Sequence, residues 1–240
     1  MLQSVQARGA QIRPRYEFKR VDRGGGKLEA QEVPCPNTTG SYRQYWVEAI
    51  AQDIKDTICR VSDSPFDPEE NANIPTVAYE LPDGQEIQVG PARFAVPEVL
   101  FNHHLLDTFG DVAGQVRAEA AAMNGPSGAA EALQGLQLVA NTCINKCDVD
   151  VRRELYSGVV LTGGTSMFSS MRDRLERELA EVAPQMAKVK VLSPANTVER
   201  RHSVWIGGSI LASLGTFQQM WMSKAEYREH GPGLIHKKAP

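Results

Sequence analysis

The chain has 240 residues, of which 42% are hydrophobic and 23% charged, a composition typical of a globular protein that can bury a core. Its formal net charge of −3 gives no global electrostatic reason to bind nucleic acid. The N-terminus has no apolar core of signal-peptide length, and no later apolar run is long enough to span a bilayer. We therefore expect neither a membrane partner nor direct sequence-specific nucleic-acid binding.

The first part of the chain is predicted to be a solvated loop. Residues 20–27 contain Gly24-Gly25-Gly26, and the basic residues of this region are interleaved with Glu17, Asp22 and Glu29. Mixed charge around a glycine run favours a wet loop over a phosphate-binding patch.

An amphipathic helix is predicted after the capping residues at 37–41. Its apolar positions recur three and four residues apart and should face a core. They are Tyr42, Tyr45, Trp46, Ala49, Ile50, Ile54, Ile58 and Val61. The opposing side carries Gln52, Lys55, Asp56 and Cys59, which we expect to be solvated.

A β-hairpin is predicted next, with strands over 77–81 and 86–89 on either side of Pro82-Asp83-Gly84. Proline presets φ, and Asp-Gly tolerates the positive φ that tight hairpin turns need. Residues 111–132 are rich in alanine and glycine and are predicted to be a flexible insertion between helical pieces.

Two of the four cysteines, Cys143 and Cys147, fall on one face of the helix that follows. Because no histidine lies near them in the sequence, we expect core packing rather than zinc binding, and no metal site. Reduced thiols fit an intracellular protein.

The central stretch of the chain is 159–168. Residues 159–161 form a continuous apolar run typical of a strand buried on both faces, and Thr162-Gly163-Gly164-Thr165 then interrupts it. Helical spacing resumes from Ser170 to Leu179. A strand, a glycine turn and a helix in this order can offer free N–H groups to an anion or nucleotide. A tight connection without a ligand remains the alternative.

The last part of the chain is predicted to contain a strand at Val189, Val191 and Leu192, a charged turn over 199–202, and a helix over 204–214. Gly207 and Gly208 lie within this helix, where glycine costs about 1 kcal/mol relative to alanine. We therefore expect something to approach the backbone closely there. Two further short helices are predicted over 217–221 and 224–227.

Four motifs resemble the actin family, in family order and over nearly the whole chain. They are YELPDGQ at 79–85, KCDVDVR at 146–152, the turn at 162–167, and WIGGSILASLGTFQQ at 205–219. The departures from conventional actin lie at 37–39, 62–67, 196–201 and Pro240, and together they resemble the nuclear actin-related proteins of class four. The resemblance implies an α/β, actin-like (ribonuclease H-like) ATPase fold, of which the chain matches the second half of the bilobal architecture.

The resemblance assigns 1–105 to the distal small lobe, like actin subdomain 4. It assigns 106–201 to the inner large lobe, like subdomain 3, with an insertion near 111–132, and 202–240 to the C-terminal return into subdomain 1. The phosphate hairpin and the residues for hydrolysis would lie upstream of Met1. An incomplete gene model and a true truncation both stay open, and no catalytic residue is expected within the chain.

Carried over by position, the resemblance implies nucleotide contacts on the adenosine side. The matching residues are Lys55, Asp56, Gly163, Gly164, Met167, Phe168 and Arg201. Phe168 and Arg201 stand where actin has a tyrosine and a lysine, Asp56 replaces a glutamate, and Gln52 replaces an arginine. The implied cofactor is ATP, with magnesium supplied through the nucleotide, bound weakly or not at all by this part alone.

The resemblance also implies a partner-binding groove. Ile206, Ile210 and Leu214 are four residues apart and form one apolar ridge, which Thr216 and Met220 continue. In actins the matching positions receive amphipathic helices, so the implied partner is a helical actin-binding segment of a chromatin-remodelling ATPase or acetyltransferase scaffold, with conventional actin as a further partner. The alternative is that these residues are merely core.

Two functions from different classes follow. The first is a nucleotide-binding structural subunit of nuclear chromatin-remodelling and histone-acetyltransferase complexes, and the second is a cytoplasmic, cytoskeletal actin that polymerises and hydrolyses ATP. The loops at 62–73 and 111–127 favour the first, because filament contacts need surfaces without such insertions. The actin-like C-terminus disfavours a sugar kinase or a chaperone ATPase of the same architecture.

Overall fold

The computed structural model describes residues 5, 9, 11–22 and 28–238. The chain divides into two compact units. Unit 1 comprises Met1–Val160 and Phe168–Leu192, and unit 2 comprises Leu161–Met167 and Ser193–Pro240. Within the described ranges, none of the helices has the length and apolar character needed to cross a membrane.

Unit 1 begins with a hairpin that the sequence did not predict. Strands β1 (Phe18–Asp22) and β2 (Leu28–Glu32) pair antiparallel. The loop predicted over 20–27 is therefore wrong at its first residues, and its three glycines lie outside the described residues. Arg20 has a role within the strand, because its guanidinium donates to Glu80 and to the Pro82 carbonyl, at 2.9 Å each.

Helix α1 (Gly40–Ile58) begins where the capping residues predicted it, with Thr39 Oγ1 accepting the Tyr42 amide at 3.3 Å. Its inner face joins a core cluster that also takes apolar side chains from the second hairpin. That cluster consists of Val5, Ile12, Val47, Ile50, Ile54, Leu81, Ile87 and Val89. Within α1, only residues from Val47 onward belong to this cluster.

The predicted apolar stripe of α1 is therefore wrong at its N-terminal end. Tyr42, Tyr45 and Trp46 are 50%, 63% and 40% exposed, and their rings contact one another and Tyr16 rather than a core. Cys59, expected on the solvated side, is buried just after the helix ends.

The second hairpin confirms its prediction. Strands β3 (Val77–Glu80) and β4 (Glu86–Val89) pair antiparallel. Gly84 adopts φ 92°, and the Leu81 amide donates to the Gln85 carbonyl at 2.7 Å to close the turn.

Unit 1 continues with four helices: α2 (Ala92–Glu98), α3 (Asp111–Ala132), α4 (Leu136–Asn145) and α5 (Val149–Ser157). A 3-10 segment, His103–Phe109, joins α2 to α3. The flexible conformation predicted over 111–132 is wrong, because α3 is helical throughout except for a break at Gly125, where φ is 73°. Alanine has the best helix propensity, and this outweighs the glycines here.

Cys143 and Cys147 are exposed, so the expectation that they pack in a core is wrong. Helix α4 turns a different face inward, with Ile144 in a cluster with Tyr156 and Leu179, and Ala140 packed against it. Neighbouring positions on a helix point about 100° apart, so Cys143 lies on the flank of the buried face.

The central strand is shorter and more exposed than predicted. Strand β5 (Val159–Val160) pairs in parallel with β6 (Val191–Leu192). Val191 is buried, but Val160 is 66% and Leu192 43% exposed, so the prediction of burial on both faces is wrong. Val160 and Leu192 are paired and lie on the same face of this two-stranded ladder, and that face is not covered by another described element. Helix α6 (Met171–Val182) follows the glycine turn as predicted, with Leu175 and Leu179 buried.

A buried ion pair joins the middle of unit 1. Arg174 on α6 and Glu98 at the end of α2 are 2% and 0% exposed. Two guanidinium nitrogens contact the two carboxylate oxygens at 2.7 and 3.0 Å. Arg174 also donates to the carbonyls of Ser62 and Ser64 at 2.9 Å each, and to Glu178 at 2.6 Å. Burial lowers the pKa of the Arg174 guanidinium, but the hydrogen bonds to Glu98 and Glu178 outweigh this and raise it above its usual value.

Unit 2 is built from α7 (Thr197–Ser213), a 3-10 segment (Gly215–Met220), α8 (Lys224–His230) and α9 (Ile235–Lys238). Asn196 Oδ1 caps α7 by accepting the Val198 amide at 2.9 Å. The charged turn predicted over 199–202 is therefore wrong, because these residues form the first turns of the helix.

No described residue of this chain makes the close approach expected at Gly207 and Gly208. A Cβ added at either position meets no atom within 4 Å in the described part of the chain. Among the described residues of unit 2, Ser166 alone is buried, so its apolar side chains remain partly or largely exposed.

The buried ion pair yields a stability prediction. Glu98→Ala should lower the free energy of unfolding of unit 1 by about 3–5 kcal/mol, because it leaves a buried guanidinium without its counter-charge. Asp173→Ala is the control: it breaks the exposed pair with Arg172 on the same helix and should cost less than about 1 kcal/mol. Urea unfolding followed by circular dichroism measures both, and similar losses in the two variants would contradict the assignment.

The cysteines yield a second prediction. Iodoacetamide at neutral pH should label Cys143 and Cys147 but not Cys59, since burial raises the pKa of the Cys59 thiol to about 12 and the thiolate is the reactive form. Mass spectrometry of the native chain, with the urea-unfolded chain as the control in which Cys59 also reacts, measures the difference. Rapid native labelling of Cys59 would contradict its burial.

Candidate functional site

Three of the predicted nucleotide residues lie in unit 1 and are close together. Lys55 and Asp56 are on the last turn of α1, and the Lys55 ammonium is 3.6 Å from the Asp56 carboxylate. The same ammonium lies 5.9 Å from the centroid of the Phe168 ring, within cation–π range. Phe168 is itself buried, so its ring supports the lysine. Gln52 is exposed one turn earlier on the same helix.

The position of Phe168 is set by backbone pairing with the segment that follows α1. The Val61 amide donates to the Ser169 carbonyl at 3.1 Å, and Arg60 and Ser169 form a parallel bridge. The carbonyls of Ser62 and Ser64 are in turn held by Arg174. The end of α1 and the start of α6 are thereby fixed relative to each other.

The other four predicted nucleotide residues, Gly163, Gly164, Met167 and Arg201, lie in unit 2. Gly163 adopts φ 95°, a conformation that other residues reach only with strain. Its amide donates to the Arg200 carbonyl at 2.8 Å. The Ser166 amide and hydroxyl donate back to the Gly163 carbonyl at 3.1 and 2.7 Å. The 3-10 segment Gly164–Met167 follows from this turn.

Arg200 organises the turn and was missed by the sequence analysis, which selected Arg201. Its guanidinium donates to the Ser166 carbonyl at 3.4 Å and to the Ser193 hydroxyl. Its Nε is buried without a partner among the described residues. Arg201 is exposed on the next position of α7. The sequence holds two adjacent arginines, and only the helical geometry distinguishes them.

The glycine turn is open to a ligand. A Cβ added at Gly163 or Gly164 meets no described atom within 4 Å, so the backbone there is accessible. In the described ranges, no group of three His, Cys, Asp or Glu side chains could hold a metal ion.

The five predicted groove residues all lie in unit 2, on α7 and the 3-10 segment that follows it. Ile210 and Leu214 are 59% and 50% exposed, and Thr216 is also exposed. Ile206 and Met220 are half-buried. None of the five is therefore a core residue within this chain.

The sequence comparisons identify the family. The family model described as Actin matches residues 1–240. The chain belongs to the actin family. This assignment, with the mixed helices and small sheets of the structure, confirms the predicted actin-like α/β fold.

Proteins named actin-related protein 4 are among the relatives of this actin-family chain. The chain is 49% identical to that of Arabidopsis thaliana and 47% identical to that of Oryza sativa subsp. indica, over 240 residues in each case. It is 37% identical to that of Mycosarcoma maydis over 249 positions, with 95% of the chain covered. Each alignment with a plant relative covers the whole of this chain and 52% of the relative. The chain therefore spans about half the length of these relatives, and it matches their C-terminal half.

The glycine turn yields a prediction with a neighbouring control. Gly163→Ala should lower the free energy of unfolding by about 1 kcal/mol, because alanine is strained at the positive φ of this position although it meets no neighbour. Gly164→Ala also meets no neighbour, and its φ is not positive, so it should be nearly neutral. Amide exchange at Ser166, whose N–H bonds to Gly163, reports the local effect. Equal exchange in both variants would contradict the assignment.

Proposed function

We propose that this chain functions as a nuclear actin-related protein, a structural subunit of chromatin-remodelling and histone-acetyltransferase complexes. The observation that carries the proposal is the exposure of the apolar side chains of unit 2, together with similarity along the whole chain to proteins named actin-related protein 4. A scaffold subunit needs an exposed apolar surface of this kind to bind its partners.

The proposed partner surface is the groove along α7 and the following 3-10 segment. Ile206, Ile210 and Leu214 are spaced one helical turn apart, and Thr216 and Met220 extend the ridge. An amphipathic helix laid on such a ridge buries apolar area on both sides, which is the usual helix-in-groove mode of recognition. The proposed partner is a helical segment of a remodelling ATPase or an acetyltransferase scaffold, with conventional actin as a second partner.

The proposed nucleotide role concerns the base and ribose of ATP. Lys55, Asp56 and Phe168 in unit 1, and Gly163, Gly164, Met167 and Arg201 in unit 2, are the residues we assign to it. The contact of the Lys55 ammonium with Asp56 and the Phe168 ring and the open backbone at the glycine turn support this assignment. In the proposed scaffold, bound ATP stabilises the folded protein, since a ligand that binds only the folded state shifts the folding equilibrium towards it.

The assignment of 1–105, 106–201 and 202–240 to three parts of the actin fold is likewise a proposal. It rests on the order of the family motifs along the chain.

The groove assignment predicts the effect of one charge. In the complete gene product, Ile210→Asp should weaken binding of the helical partner segment by about 2–4 kcal/mol, because a carboxylate would be desolvated in an apolar interface. Ala212→Asp adds the same charge about 200° around the helix and should have little effect. Calorimetric titration of each folded variant with the segment measures the difference. Unchanged affinity in Ile210→Asp would overturn the groove.

The nucleotide assignment predicts weak binding by this chain alone. Residues 1–240 should bind magnesium ATP with a Kd weaker than about 100 μM, because the adenosine-side residues are present without carboxylates that could hold the metal. Isothermal calorimetry measures this affinity. Tight, magnesium-dependent binding would contradict the assignment and, if the protein also sedimented as filaments under polymerising conditions, would favour the cytoskeletal alternative.

A further inference from the structure

Two exposed thiols lie at the junction of α4 and α5, in a place that neither the nucleotide residues nor the groove uses. Cys143 is in the last turns of α4, and Cys147 lies in the short connection, 146–148, that leads to α5. Both side chains are exposed, whereas Cys59 is buried and Cys35 is half-buried. Reagents in solution therefore reach this pair more easily than the other two cysteines.

The helical turn of α4 continues as far as Cys147. The Lys146 amide donates to the Thr142 carbonyl at 3.1 Å. The Cys147 amide donates to the Ile144 carbonyl at 3.0 Å. Residues four apart in such a turn lie one above the other, about 6 Å apart along the axis. The Cys147 side chain points back towards α4, because its thiol donates to the Cys143 carbonyl at 3.5 Å. The two thiol side chains are therefore neighbours on one exposed strip.

The spacing permits a disulfide, although not one free of strain. Bridged cysteines have Cα atoms about 4.4–6.8 Å apart, a range that includes the separation expected here. Their Cβ atoms are about 3.5–4.5 Å apart, compared with about 5–6 Å for helical neighbours at this spacing. Closing the bond therefore requires Cys147 to move about 1–2 Å towards Cys143. Cys147 lies beyond the last residue of α4, so this movement does not have to unwind the helix.

The movement is opposed from the side of α5. The Cys147 carbonyl accepts a hydrogen bond from Arg152 Nε at 2.9 Å, which ties the connection to the first turn of α5. Helix α5 is itself anchored by Tyr156, which is buried in a cluster with Ile144 and Leu179. A disulfide between positions 143 and 147 would therefore pull against a fixed helix. Strain of this kind makes a disulfide easy to reduce, which is a property of reversible rather than structural disulfides.

We propose that Cys143 and Cys147 form a redox site that a small-molecule disulfide, such as oxidised glutathione, converts reversibly into an intramolecular disulfide. One cysteine thiolate attacks a sulfur of the glutathione disulfide, forms a mixed disulfide and releases one glutathione thiolate. The other cysteine thiolate then attacks the protein sulfur of the mixed disulfide and releases the second glutathione. The two cysteines lose two electrons and two protons, which convert one glutathione disulfide into two glutathione thiols.

Mass spectrometry of the full chain tests the proposal, in a Cys35→Ser background that leaves the buried Cys59 as the only other thiol. The folded chain is incubated with oxidised glutathione and quenched with iodoacetamide. Trypsin cleaves after Lys146, between the two cysteines, so their disulfide appears as two joined peptides. We expect these joined peptides, a whole-chain mass lower by two hydrogens, and recovery of both thiols in excess reduced glutathione. Cys143→Ser and Cys147→Ser should each instead keep a glutathione adduct on the remaining thiol.

A matched control separates the folded geometry from mere closeness in the sequence. Asn145→Cys combined with Cys147→Ser places the two thiols only two positions apart, but about 200° around the helix. Position 145 is exposed, and we expect glutathione adducts there and no intramolecular disulfide.

Four results would overturn the proposal. The first is a lasting glutathione adduct on both cysteines of the parent chain, and the second is a disulfide that joins two chains, seen as a dimer in non-reducing electrophoresis. The third is a disulfide that survives excess reduced glutathione. The fourth is an equal yield of intramolecular disulfide in the Asn145→Cys control.

Discussion

A guanidinium is stable inside a protein only when its charge is paired and each of its nitrogens is hydrogen-bonded. Arg174 meets both conditions through Glu98, Glu178 and two backbone carbonyls. These contacts join segments separated by 76 and 112 residues in the sequence. Because the carbonyls belong to the strand-like segment after α1, the same contacts hold the Ser169 backbone beside Val61. The backbone pairing that brings Phe168 near Lys55 and the hydrogen bonds of the buried Arg174 therefore act on the same segment after α1.

The two units differ in how far they bury their apolar side chains. In its described residues, unit 1 encloses hydrophobic clusters and a buried ion pair, and its exposed tyrosine and tryptophan rings lie at the start of α1. Unit 2 leaves Val204, Trp205, Ile210 and Leu214 open, at exposures of 82%, 75%, 59% and 50%. Apolar surface of this kind marks a place of contact with other protein surface.

Features with local causes could be predicted from the sequence. The cap of α1, the Pro82-Asp83-Gly84 hairpin and helix α6 depend on neighbouring residues, and all three were confirmed. Burial was predicted poorly at Trp46, Val160 and Cys143, because it depends on which distant element covers a face. Arg20 was assigned to a loop, since its partners lie about 60 residues away, at Glu80 and Pro82.

In the candidate sites too, features with local causes could be predicted and features that depend on distant contacts could not. Motif order predicted which residues belong to the glycine turn, and the positive φ of Gly163 accounts for the residue type there. The role of Arg200 in that turn could not be predicted, because adjacent arginines look alike until the helix direction is known. The exposure of the aromatic rings at the start of α1 could not be predicted either, because regular apolar spacing marks one face of a helix and does not say how far a distant element covers it.

The account rests on the claim that this actin-family chain serves as a partner-binding subunit. The most direct measurement is to tag the protein at its own locus, fractionate the nuclear extract by size, and identify the co-eluting proteins by mass spectrometry. The account predicts stoichiometric recovery with a chromatin-remodelling ATPase or an acetyltransferase scaffold, in a complex far larger than the protein itself. Recovery with cytoplasmic filaments, and not with any such complex, would contradict it.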